Sequence, residues 1–68
     1  MPIIVHLDVA LAQRKMTSKE LAAKIGISEQ NLSMLRSGRA RGVRFNTLEA
    51  ICHELGCQPG DLLEFVEP

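Results

Sequence analysis

Residues 17–38 read TSKELAAKIGISEQNLSMLRSG, and this stretch decides the fold. Thr17 with Glu20 has the S/T-x-x-E spacing of a capping box, and Met16 and Leu21 stand at the hydrophobic-staple positions around it. A helix therefore starts here. Leu21, Ala22 and Ile25 fall on one face at helical spacing, and Gly26 is the residue best able to leave that helix in a left-handed conformation. Ser28 is a good N-cap for a second helix, with Ile27 and Leu32 as its staple and Leu32 and Leu35 as its inward stripe. Gly38 predicts its end.

Two short helices joined by a glycine turn, with Ala22 small enough for close approach, make a helix-turn-helix unit. An ordinary helical hairpin without a ligand satisfies part of this pattern. Counted from Ser18, however, Leu21, Ala22, Ile25, Gly26, Ile27, Leu32 and Leu35 all fall where the DNA-binding motif has them. On these residues the chain resembles the phage repressor and Cro (XRE) family of helix-turn-helix transcriptional regulators, over roughly Leu7 to Leu63. The resemblance implies an all-α, five-helix repressor-like domain filling residues 1–68, with double-stranded DNA as partner and transcriptional regulation, most simply repression, as function.

Formal net charge is zero, where a nucleic-acid binder normally carries an excess of Lys and Arg. The distribution matters more. Residues 1–44 hold all eight basic residues and three acids, a net +5, whereas residues 45–68 hold five acids and no Lys or Arg, a net −5. Such polarity suits docking one face on a polyanion while the other meets solvent or a protein. Sixty-eight residues make one small domain that buries only about 60% of its unfolded surface. With no Trp or Tyr and only Phe45 and Phe65 as aromatics, the core must be Leu, Ile, Val, Ala and Met. Neither an active-site constellation nor a cofactor motif is visible, so no enzyme activity is expected. Cys52 and Cys57 lack zinc spacing and read as small buried hydrophobes of a reducing cytosol. No run approaches the ~20 apolar residues of a membrane span, and the N-terminus lacks the charge and cleavage site of a signal peptide, which predicts a soluble, cytoplasmic protein.

Along the chain, Pro2 to Val5 is β-branched and predicts a short edge strand. Leu7, Ala10 and Leu11 predict a first helix over about Leu7 to Lys15, with Arg14 and Lys15 in its last turn and His6 before it as a cap or simply exposed. After the motif, RARGVRF between Gly38 and Asn46 has no helical period and predicts a loop. Asn46 with Glu49 repeats the capping spacing ahead of Leu48, Ile51, Cys52 and Leu55, so a fourth helix is expected from Asn46 to Gly56. Pro59 predicts the first residue of a short fifth helix carrying Leu62 and Leu63, and Glu64 to Glu67 alternates weakly as a final strand.

In helix-turn-helix docking the second helix enters the major groove and its first turns meet base edges. With Leu32 and Leu35 inward, the outward residues are Gln30, Ser33, Met34 and Ser37, with Glu29 at the leading rim. Gln30 suits adenine, Ser33 serves several bases, Met34 offers an apolar contact to a thymine methyl, and Glu29 can accept from cytosine. The family commonly has neutral or basic residues where Glu29 stands. Phosphate contacts are expected from Ser18 and Lys19 at the start of the first motif helix, from Ser37, and, by family resemblance, from Arg39, Arg41 and Arg44 in the following loop. Asn31 and Arg36 on the flanks either reach the backbone or pair with nearby acids. A rival reading is an antitoxin-like or adaptor module that binds a protein through the acidic half. The β-prone, apolar ends, Ile3 to Val5 and Leu62 to Val66, predict either closure within one chain or a homodimer joined at the termini.

Overall fold

The computed structural model describes residues 3–67. Five helices follow a short strand: β1 (Ile3–Val5), α1 (Leu7–Gln13), α2 (Ser18–Ile25), α3 (Glu29–Arg36), α4 (Phe45–Leu55) and α5 (Pro59–Leu62), and the chain closes with β2 (Leu63–Phe65). The all-α class with short terminal strands is as expected. Pro2, assigned to the first strand from sequence, lies outside the described residues.

The core takes its side chains from every helix. Leu7, Ala10 and Leu11 of α1, Leu21 and Ala22 of α2, Leu32 of α3, Ile51 and Leu55 of α4 and Leu62 of α5 are buried together, and no polar side chain is buried with them among the described residues. Each fully buried Leu or Ile contributes about 1.5–3 kcal/mol of transfer free energy. Both aromatics stay out: Phe45 is 88% and Phe65 64% exposed. Central in this bundle, α2 packs against α3 on one side and α4 on the other.

The motif helices begin and end as their side chains dictate. Thr17 accepts from the Glu20 backbone N–H at 3.1 Å while the Glu20 carboxylate accepts from the Thr17 backbone N–H at 3.2 Å, closing the capping box. Ser28 accepts from the Asn31 N–H at 3.1 Å. Gly26 leaves α2 at φ 76°. Four helices end with the same backbone return, in which an N–H two or three residues past the helix bonds a carbonyl five residues earlier: Met16 to Leu11, Ile27 to Ala22, Arg39 to Met34 and Cys57 to Cys52, all at 3.0–3.1 Å.

That return explains a correction to α1. The helix stops at Gln13, with Arg14 as its C-cap and Lys15 at φ 53°, so neither cation lies in the last turn. Lys15 occupies the left-handed position usually given to Gly, because the Met16 N–H bonds Leu11 and half-buried Met16 joins the core. Arg14 instead donates to the Gly56 carbonyl at 3.2 Å, at the C-terminus of α4.

At the chain ends, β1 and β2 pair antiparallel within one chain, with Ile3 opposite Phe65, Ile4 opposite Glu64 and Val5 opposite Leu63. Leu63 therefore belongs to β2 rather than α5, and the strand ends before Val66. Pro59 opens α5 as expected, and the Asp61 carboxylate accepts from the Gln58 backbone N–H at 2.8 Å. His6 holds the N-cap position of α1 without a side-chain cap bond; its ring meets the Glu64 carboxylate at 2.6 Å and ties the sheet to the bundle.

Candidate nucleic-acid interface

One outward stripe of α3 is fixed by the burial of Leu32 on the opposite side. Glu29, Gln30, Asn31, Met34 and Ser37 are exposed, whereas Ser33 is half-buried and offers less of its hydroxyl than its wheel position suggests. Gln30 and Met34 stand one turn apart on the same face. Behind them Gly38, at φ 78°, turns the chain into the arginine loop.

The loop does not hang free. Ser37 donates to the Met34 carbonyl at 3.2 Å and Arg39 donates to the Ser37 hydroxyl at 2.9 Å, so Arg39 is held against the end of α3. Arg41 and Arg44 are exposed, and neither takes part in an ion pair among the described residues. A shallow groove of about 320 Å³ runs between α3 and this loop, bordered by Asn31 and Met34 on one side, Arg41 and Arg44 on the other and Thr47 beyond. Two guanidinium groups without acid partners beside an open helix face form a positive channel suited to a phosphate backbone.

Arg36 resolves differently. Its guanidinium approaches Asp8 at 3.4 Å and donates to the Ser18 hydroxyl at 3.0 Å, bracing α3 against α1 and α2. Of the two readings open for Arg36, pairing with an acid is the one the geometry shows, and it takes up the Ser18 hydroxyl as well. What α2 retains for a phosphate is the backbone at Ser18 and Lys19, since its capping box uses only the Glu20 N–H and the Thr17 N–H.

Sequence reasoning missed one group. The fourth helix starts at Phe45, with Arg44 as N-cap and no side-chain cap, and not at an Asn46–Glu49 capping box. Val43 and Leu48, which line one apolar crevice with Val5, Leu7 and Leu35, stand at staple spacing around Arg44 and set the entry. An Asn46 cap would have paired Phe45 with Ala50, a much poorer staple. The signal was thus present in the order Val43, Arg44, Leu48. As a result the first backbone N–H groups of α4, at Phe45, Asn46 and Thr47, lack side-chain acceptors and open beside Arg44.

Known proteins share this fold. The model of the Cro/C1-type HTH DNA-binding domain matches residues 6–68. The chain is 54% identical over 65 residues to the uncharacterised HTH-type transcriptional regulator YozG of Bacillus subtilis strain 168, covering 96% of this chain and 77% of YozG. Its fold is similar to the crystal structure of the transcriptional regulator VanUg, with a TM-score of 0.78 and 28% identity over 98% of this chain and 88% of that one. A Bacteroides fragilis protein, 24% identical, shares the fold at a TM-score of 0.80 over 91% of this chain and 98% of its own. With nearly its whole length matched, the chain belongs to the Cro/C1-type helix-turn-helix family.

Proposed function

We propose that this chain binds double-stranded DNA in a sequence-dependent manner and regulates transcription, most simply as a repressor. The observation that carries the reading is the open face of α3 running beside Arg41, Arg44 and the uncapped start of α4. Gln30 and Met34, with Glu29 at the rim and Ser33 in part, read base edges in the major groove. Arg39, Arg41 and Arg44, with Ser37, Asn31 and the backbone at Ser18, Lys19 and Phe45, follow the phosphates. Neither catalysis nor a cofactor enters this reading. Family membership disfavours the rival module acting through the acidic half, and a cytoplasmic setting suits a regulator in which no described helix is long and apolar enough to cross a membrane.

We propose further that the working unit is a homodimer built on the terminal sheet. Ile3 and Ile4 are 41% and 39% exposed, Phe65 and Val66 more so, and a two-stranded sheet leaves outer edges able to pair with a second copy. A groove bordered by Ile3, Ile4 and Val5 together with Ser37 and Gly38 sets β1 beside the end of α3, so a two-fold axis at this sheet brings two recognition helices close together.

A gel-shift titration on random duplex and on a selected site, at two salt concentrations, tests the DNA reading. Binding that weakens steeply with salt and favours the selected site supports it; no binding at low salt overturns it. Sedimentation of the intact protein and of the Ile3→Lys, Ile4→Lys variant, both positions exposed, tests the dimer. An intact chain that stays monomeric at tens of micromolar, both free and on a palindromic site, removes it.

A further inference from the structure

The end of α4 carries chemistry that DNA binding does not use. At each helix end described above, the backbone return brings together the side chains five residues apart that flank the left-handed turn. In α1 these are Leu11 and Met16, in α2 Ala22 and Ile27, apolar pairs that pack in the core region. In α4 they are Cys52 and Cys57, both free thiols.

The Cys57 N–H bonds the Cys52 carbonyl at 3.0 Å. Standard backbone dimensions then hold the two Cα atoms within about 7 Å, the span a disulfide can bridge. Gly56, at φ 62°, makes the turn between them, and both cysteines line one open apolar groove with Phe45, Leu48 and Pro59. The sequence predicts small buried hydrophobes here. They are half-buried, because α5 covers the end of α4 with only four residues.

We propose that Cys52 and Cys57 form a dithiol site that small disulfides of the glutathione class oxidise to an intramolecular disulfide. One cysteine thiolate attacks a sulfur of glutathione disulfide, forming a mixed disulfide and releasing one glutathione thiolate. The second cysteine thiolate then attacks the protein sulfur of that mixed disulfide and releases the second glutathione. The protein loses two protons and two electrons, and one glutathione disulfide becomes two glutathione thiols. In a reducing compartment the pair stays open, and it closes when oxidised glutathione accumulates. Burial, then the neighbouring Cys52 and Asp61, with Arg14 opposing, push the Cys57 thiol above its ordinary range. The exchange therefore proceeds faster in mildly alkaline buffer.

The test incubates the full chain with glutathione disulfide and follows intact mass and free thiols. The expected product is lighter by two hydrogens, has no free thiol, gives a Cys52–Cys57 linked peptide without reductant, and reverts with dithiothreitol. Cys52→Ser and Cys57→Ser each should hold one glutathione instead. A wild-type chain that keeps glutathione adducts, cross-links only between copies, or retains both thiols overturns the proposal.

Discussion

The helices α2 and α4 begin in opposite ways. Thr17 and Glu20 close the start of α2 upon itself, each side chain taking the other's backbone N–H. Arg44 supplies no side-chain acceptor to α4, whose first N–H groups stay open next to a cation. A closed start adds about 1 kcal/mol of local stability, whereas an open one forgoes it and keeps donors for an anion. On this reading the capping box of α2 serves the fold and leaves only the backbone at Ser18 and Lys19 to a phosphate, whereas the start of α4 is left open to the partner. The same division separates Arg36, which braces α3 to Asp8 and Ser18, from Arg41 and Arg44, which pair with nothing in the described chain.

The largest effect expected from this contrast concerns the loop. Replacing Arg39, Arg41 and Arg44 together by Ala should reduce the salt slope of log K by about 2.7, from about 0.9 for each lost phosphate contact, and remove most binding to random duplex. Stability should hardly move, because all three side chains are exposed and none joins an ion pair among the described residues. Salt titrations of the variant and the parent decide it: equal slopes would place the phosphate contacts elsewhere. Gln30→Ala comes next, with a loss of about 1–3 kcal/mol on the preferred site and relaxed preference at one base position. A selection experiment that returns an unchanged consensus would exclude Gln30 from base reading.

How legible the molecule was from sequence follows the same line. The bounds of α2 and α3 were readable because Thr17, Glu20, Gly26, Ser28 and Gly38 act on backbone groups within a few residues. Periodicity likewise exposed Gln30 and Met34, since a buried Leu32 fixes the helix face. What could not be read depends on partners far along the chain. Leu63 left the short helix because β2 pairs with β1 some sixty residues away, and Arg14 left α1 for the carbonyl of Gly56. Arg36 could be assigned to Asp8 only once α1 lay against α3. The half-exposure of the cysteines follows from how little of α4 the short α5 covers.

Two substitutions should move stability in opposite directions and so sharpen the contrast. Thr17→Ala removes the cap of α2 and should cost about 1 kcal/mol, a fall in Tm of about 4–8 °C for a domain of this size. Arg44→Ser gives α4 the cap it lacks. Its hydroxyl can accept from the first turn, so Tm should rise by a few degrees at most while DNA affinity falls and the salt slope drops by about 0.9. Thermal melts and salt titrations on the same samples separate the two effects. If Arg44→Ser lost stability as well as affinity, the idea that this N-terminus is kept open for a partner would fail.

The smallest expected effect is the most discriminating for where α4 begins. Had Asn46 been the N-cap, with Glu49 completing a capping box, Asn46→Ala would delete a cap and cost about 1 kcal/mol. In the structure Asn46 is the second residue of the helix, exposed, with no side-chain hydrogen bond to the backbone of the first turn. Ala is the better helix former there by a few tenths of a kcal/mol, and the Val43–Leu48 staple that sets the entry is untouched. Asn46→Ala should therefore leave stability within about 0.5 kcal/mol of the parent, with any change favourable. Val43→Ala supplies the converse, because it removes the staple and should destabilise the same helix start. Urea melts of both variants read the difference directly. A loss at Asn46 as large as that at Thr17 would mean that α4 starts with a closed cap in solution, and the contrast between the two helices would collapse.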